Sequence, residues 1–191
     1  MDLSVQNKLE PRKGRFLLAE PFLQEQHFHR SVVYLCDHNE EGSFGFVLNK
    51  YLEISPTELV EKIPNKDLQI SIGGPVDDSS LFYLHKSGDL IENAIPIADD
   101  IFIGGSFETV AELLTSGKIN ENEISFFLGY SGWSENQLNQ EIESKSWLVA
   151  ESADPAKYIF GKDKDLWKNL MAEQGRRHEI LSKFPDNHLW N

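Results

Sequence analysis

VVYLCDHNEEGSFGFVLNK, residues 32–50, is the stretch on which the fold turns. It reads as an apolar run, a polar corner and a second apolar run. Ser31 to Cys36 is apolar on both alternating faces, the pattern of an interior strand. Phe44 to Asn49 is equally rich in strand formers, so the two runs pair most simply as a hairpin, with Gly42 supplying the positive φ of the corner. The same stretch holds the single cysteine, Cys36, beside Asp37-His38-Asn39, so the alternative to a plain corner is a reactive or metal-binding one.

Upstream, GRFLLAEPF contributes another short strand, and residues 1–13, polar and carrying Pro11, are expected to form a flexible N-terminal arm. Residues 14–191 then make one domain, long enough to bury about 70% of its unfolded surface without a disulfide or metal. Downstream, Ser55, Pro56 and Glu58 carry the signature of a capped helix with Leu59, Val60 and Ile63 as its apolar stripe, stopped by Pro64. Strands are expected at LQISI, LFYLH and DIFIGG, and the last feeds a helix capped by Ser106 and ended by Gly117. ISFFLGYSGW is expected to be a strand and a glycine turn. Ser134 and Gln137 form a capping box for the next helix, which returns to the strand WLVA. Asp154-Pro155 opens a short helix, and Asp163 to Gln174 a longer one ended by Gly175, with helix and then loop to Asn191. Strands and helices mix without strict alternation, which predicts an α+β fold with some βαβ character.

Composition excludes several classes of function. Lys and Arg total 18 against 31 Asp and Glu, for a formal charge of −13. A field of that sign repels phosphate backbones and anionic lipid, so no direct nucleic acid contact and no membrane association are expected. Arg176 and Arg177 answer the C-terminal dipole of the preceding helix better than they answer a phosphate. One cysteine cannot form an internal bridge, no stretch approaches the length of a membrane span, and no signal segment is visible. A cytoplasmic location follows as the expectation.

Four candidate chemistries arise. His27 and His29 would share one face of an extended segment, with Asp37-His38 one strand away, enough donors for a catalytic zinc; but the spacing matches no metal motif, and no metal is assigned. Cys36 lies in an apolar run with no cation beside it to lower its pKa and reads as a small hydrophobe. Gly129-Tyr130-Ser131-Gly132 approaches a nucleophile elbow, but the second glycine comes one residue early and the helix starts late. Gly104-Gly105-Ser106 opens a helix without the lysine or glycine triplet of a phosphate cradle, and reads as a cap.

As a set, GRFLLAEPFL, FHRSVVYL, HNEEGSFGFVLN, GGPV, LGYSGW, QLxxEI and SWLV resemble the YqgE/AlgH family of bacterial proteins, in order and over nearly the whole chain. The resemblance implies a mixed, strongly bent sheet forming a pseudo-barrel with helices packed outside. About function it implies little: the family is largely uncharacterised, and one branch is named for a proposed regulatory role in alginate production. No helix-turn-helix signal accompanies that role in this sequence. Two departures from the family pattern stand out. Ser131 replaces a common alanine, and the family's Gly-Gln-Leu-Glu turn is Asn136-Gln137-Leu138-Asn139, losing a glycine and a carboxylate.

The reading that results is a non-enzymatic protein that binds a small molecule or a protein partner, with a role in transcriptional regulation as one output; no cofactor and no catalytic residue are assigned. Its pocket is expected where the first hairpin meets the GYSGW segment, with His38, Asn49, Tyr130, Trp133 and Gln137 as ligand contacts. The alternative is a hydrolase using Ser131 or a metal on His27, His29 and His38. The sequence leaves the ligand, the partner and the oligomeric state open.

Overall fold

The structure, a computed structural model, describes residues 7–23, 25, 27–54, 56–59, 62–64 and 68–185. Ser55 and Val60, expected in the first helix, and the tail beyond Pro185 lie outside the described residues. The architecture is mixed α+β. Eight strands lie along one path in the order β10-β1-β2-β3-β9-β6-β8-β7. They are β1 Phe16–Ala19, β2 Val32–Asn39, β3 Gly42–Val47, β6 Val76–His85, β7 Ile95–Ala98, β8 Ile101–Ile103, β9 Ile124–Ser134 and β10 Trp147–Ala150. Two short strands, β4 Tyr51–Leu52 and β5 Ile70–Ile72, lie off that path, and β5 runs parallel to β9. The sheet ends at β10 and β7 and does not close into a barrel.

The expected hairpin is β2 and β3, antiparallel from Val33↔Val47 to Asn39↔Gly42, and every residue from Val32 to Cys36 is buried. The βαβ character is also present. Both β8 and β9 are antiparallel to β6, so they run parallel on either side of it, joined through helix α2, Phe107–Ser116. Four antiparallel steps separate β9 from β10, so these too are parallel and are joined through α3, Gln137–Glu143.

Local signals account for both ends of α2 and the start of α4, Pro155–Phe160. Ser106 Oγ accepts from Thr109 N–H, and Gly117, at φ 73°, closes α2 in the left-handed region. Asp154 caps α4, with Pro155 in its first turn. Three expectations are corrected. Asn136, not Ser134, is the N-cap of α3, and the Gln137 side-chain oxygen accepts from Ser134 N–H instead. The longer helix starts at Leu166 rather than Asp163, as α5, Leu166–Glu173. Arg176 and Arg177 open α6, Arg176–Ser182, because Gly175 at φ 110° separates the two helices. Their charge therefore faces the positive end of α6, not only the negative end of α5.

Side-chain alternation builds the core on both faces of the β10-β1-β2-β3 layer. Phe16, Leu18, Tyr34 and Phe46 pack toward α4–α6, where Tyr158, Trp167 and Leu170 meet them. Leu17, Val33, Leu35 and Trp147 point the other way, under Leu138 of α3. A third cluster around Ile70, Tyr83 and Phe126 packs against Val110 and Leu114 of α2. Asn7 lies along the outer edge of β10, donating to Trp147 O and accepting from Val149 N–H. Among the described residues no helix is long and apolar enough to cross a membrane.

One chain crossing positions the site. Gly73 N–H donates to Leu128 O on the edge of β9 that β5 occupies, yet three residues later Val76 pairs with Tyr130 on the edge that β6 occupies. The link Gly73-Gly74-Pro75 therefore passes across β9 with main chain against main chain. A β-carbon on Gly73 would lie 2.3 Å from the Gly129 carbonyl oxygen, and one on Gly74 would lie 2.2 Å from the Tyr130 carbonyl carbon. Only glycine allows that approach.

Candidate functional site: an aromatic cavity beneath the first hairpin

Between the tip of the β2–β3 hairpin, the crossing and the second half of β9 lies a cavity of about 590 Å³. Four aromatic rings line it and form a closed circuit. Phe44 meets Phe46 at 6.3 Å between centroids, Phe46 meets Phe82 at 5.7 Å, Phe82 meets Tyr130 at 5.7 Å, and Tyr130 meets Phe44 at 6.1 Å. Three of the four contacts are edge-to-face, the geometry that the ring quadrupole favours. Val76 and Ile103 extend the apolar wall, and Asp37, Asn39 and Glu41 border it from the hairpin. Among the lining residues the charged side chains are the two carboxylates, Asp37 and Glu41. The volume falls in the range of small-molecule sites.

Asp37 reaches this cavity because the strand carries a bulge. Tyr34 pairs with Phe46 and Leu35 with Gly45, but Phe44 then pairs with Asp37, leaving Cys36 as the extra residue. Simple alternation from Tyr34 would put His38 on the face shared with Phe44 and Phe46. The bulge shifts the phase by one residue, so Asp37 takes that face and His38 pairs with Ser43 on the other. There His38 Nδ1 lies 2.7 Å from Ser43 Oγ, and the side chain borders a separate groove with Asn136 and Asn139.

The five expected contacts are therefore divided. Tyr130 and Trp133 border the cavity. The Trp133 indole, however, packs on Phe28 and Trp147 on the opposite side of the sheet. His38 is in the neighbouring groove. Asn49 ties two strand ends together, its Oδ1 accepting from Val32 N–H and its Nδ2 donating to Arg30 O. Gln137 bridges Ser134 and Glu141 at the start of α3. Phe44, Phe46 and Phe82 are not among the contacts expected from the sequence, and Asp37 enters that reading only as a donor in the metal alternative. The alternation in Phe44-Gly45-Phe46 signals the first two; nothing local signals the bulge.

The nucleophiles are held away from solvent. Ser131 is fully buried in the middle of β9, which runs straight through the expected turn, and its Oγ donates to Gly73 O at 3.0 Å. Cys36 is buried, and desolvation, with Asp37 adding to it, pushes its thiol well above the ordinary range. Among the described residues, no three of His, Cys, Asp and Glu are grouped to hold a metal ion. His27, His29 and His38 thus do not form a ligand set.

Residues 16–179 match the AlgH-like family. A UPF0301 protein of Bacteroides thetaiotaomicron is 37% identical over 97% of this chain and 94% of its own length, and one of Cytophaga hutchinsonii is 36% identical over 91% and 95%. The chain belongs to the AlgH-like family. The solution structure of the AlgH protein from Pseudomonas aeruginosa superposes with a TM-score of 0.71 at 26% identity, covering 94% of this chain and 98% of that one. The crystal structure of protein DIP2367 from Corynebacterium diphtheriae shares the fold, with a TM-score of 0.75 at 22% identity and coverage of 94% and 95%. The names of these relatives give a family and no activity. In this AlgH-like chain, two of the motifs that carry the resemblance, GGPV and LGYSGW, are the two halves of the crossing over β9. Asn136, standing where the resemblance has glycine, sits at φ 57°, a left-handed conformation that asparagine tolerates better than most residues.

Proposed function

We propose that this AlgH-like protein is a non-catalytic binding protein whose cavity beneath the β2–β3 hairpin takes a small, largely apolar molecule. The observation that carries the reading is the closed circuit of Phe44, Phe46, Phe82 and Tyr130 lining a cavity of about 590 Å³. An aromatic recess with a few polar groups at its edge is the usual construction of a ligand site. The burial of Ser131 and Cys36 favours binding over covalent catalysis. A regulatory output, on this reading, passes through the bound molecule or a protein partner and not through DNA, because a net charge of −13 opposes contact with phosphate. The lone cysteine, kept as a buried thiol, suits a cytoplasmic setting.

The test is a metabolite screen by thermal shift, run on the wild type and on Val76→Trp. Val76 is 38% exposed at the cavity wall, so an indole there fills the space from the surface without disturbing the core. A ligand of the cavity raises the melting temperature of the wild type in a dose-dependent way and leaves the variant unmoved. Hits that stabilise both proteins equally, or no hit at all, would count against the site.

A further inference from the structure

The charge and construction of the cavity edge specify the ligand further. We infer that the occupant is an organic cation, an amine or quaternary ammonium on a flat apolar body, with its charge held by Asp37 at the edge and its body among the four rings. The inference rests on the binding role proposed for the cavity and adds the chemical class of what binds.

Three observations carry it. First, the charged residues that border the cavity are both acidic, Asp37 and Glu41, with Asn39 between them, while Lys and Arg contribute nothing to the lining. An anionic ligand would meet lining charges of its own sign, and a cation meets the opposite ones. Second, the Asp37 carboxylate is oriented before anything binds. One oxygen accepts from His38 N–H at 2.9 Å and the other from Asn39 Nδ2 at 3.1 Å, which fixes the group and leaves lone pairs on both oxygens. Third, Asp37 is on this face only because Cys36 is bulged out of register with β3. In an unbroken ladder Cys36 would pair with Phe44, and Asp37 would fall opposite Ser43 on the other face. A bulge leaves an unpaired residue in the strand, and bulges beside ligand sites serve to re-aim a side chain.

The walls suit the same class. Phe44 and Tyr130 are among the lining residues, and an aromatic ring whose face meets a cation adds to the carboxylate attraction when water is excluded. A purely apolar occupant would leave Asp37 against a greasy ligand with part of its hydration removed, an arrangement that costs free energy. The volume of about 590 Å³ admits a body of two or three fused or linked rings with its ammonium group at the mouth.

The experiment uses three probes of one shape on the full chain: 2-naphthylmethylammonium, 2-naphthylmethanol and 2-naphthoate, each titrated by isothermal calorimetry. The ammonium should bind at least about tenfold more tightly than the alcohol, with the carboxylate weakest. The ratio of ammonium to alcohol affinity should fall towards one in Asp37→Asn and shrink as salt is added. Val76→Trp should abolish the binding of both. Equal affinities for ammonium and alcohol in the wild type, both lost in Val76→Trp, would overturn the cation assignment and leave the binding role standing. Binding of none of the three would overturn both, and a preference for the ammonium that survives Asp37→Asn and Glu41→Gln together would place the charge selection elsewhere.

Discussion

Trp133 and Trp147 donate their indole N–H groups to one and the same oxygen of Glu141, each at 2.8 Å. The rings meet edge to face at 6.0 Å, both are buried, and Phe28 closes the group from the side. One half-buried carboxylate on α3 thus satisfies two donors from β9 and β10, the strands that α3 connects. Glu141→Ala strands both N–H groups. At the usual cost of about 1–3 kcal/mol for each unsatisfied buried donor, the variant should lose roughly 2–4 kcal/mol. Glu141→Gln keeps an acceptor oxygen and should lose clearly less. Urea unfolding with an unchanged m-value is the check; equal losses in the two variants would mean that the charge, not the shared acceptor, matters.

The crossing of Gly73-Gly74-Pro75 over β9 separates two reasons for glycine. At Gly73 the obstacle is contact, since a β-carbon would meet Gly129 O at 2.3 Å and Phe46 Cδ1 at 2.9 Å. At Gly117 the obstacle is conformation alone, because φ is 73° and nothing lies within 4 Å of the β-carbon position. Gly117→Ala should therefore cost about 1–2 kcal/mol, the penalty of a left-handed L-residue. Gly73→Ala forces backbone apart at the centre of the sheet and should cost distinctly more, about 3 kcal/mol or beyond. Thermal melts of the two variants decide it, and a Gly73→Ala protein as stable as Gly117→Ala would show that the crossing can yield.

The features legible in the sequence are those written in neighbouring residues. Ser106, Gly117 and Asp154-Pro155 mark helix ends because caps act over a single turn, and the β2–β3 hairpin follows from two apolar runs around a polar corner. The edge strand β7 is not among the expected strands; Pro96 lies within Ile95–Ala98, and an edge position is where a sheet tolerates proline. The candidate site was legible in place but not in detail. His38 is expected at the pocket from its place on the first hairpin, and a one-residue bulge at Cys36 turns Asp37 to the cavity and His38 to the other face. That bulge is set by pairing with Phe44 and Gly45 in the next strand, so no local pattern announces it. Tyr130 was found through its glycine neighbours. Phe82 was not, because only the assembled sheet brings it 5.7 Å from Phe46.

His85 makes the fold sensitive to mild acid. It is fully buried at the end of β6, stacked on Phe102, with Nε2 2.8 Å from Gly104 O and Nδ1 accepting from Ser87 N–H at 3.2 Å. This arrangement needs the neutral ring, protonated at Nε2 only. Burial is the chief cause that holds its pKa below the ordinary 6.5, outweighing the bond to Gly104. The sign follows from linkage: the unfolded chain takes up a proton near 6.5 and the folded one resists. The stabilisation is complete above that value and is lost as pH falls from it towards the folded-state pKa. Denaturant unfolding between about pH 7.5 and about pH 5 should show stability falling with pH, with a shallower fall in His85→Gln, whose amide can still donate and accept. Identical slopes would remove His85 as the cause.

Ser131 separates the binding reading from the catalytic one without any ligand in hand. Its hydroxyl donates to Gly73 O, but that carbonyl also accepts from Val47 N–H at 2.8 Å, so removing the hydroxyl orphans nothing. Ser131→Ala should therefore shift stability by no more than about 1 kcal/mol, the net worth of one ordinary hydrogen bond. With the side chain fully buried beneath the crossing, a serine-reactive phosphonate should not label the native protein at any useful rate. Labelling of the folded wild type that disappears in Ser131→Ala would mean that the crossing opens far enough to expose a nucleophile. The cavity would then have to be read as half of an active site rather than as a receptor.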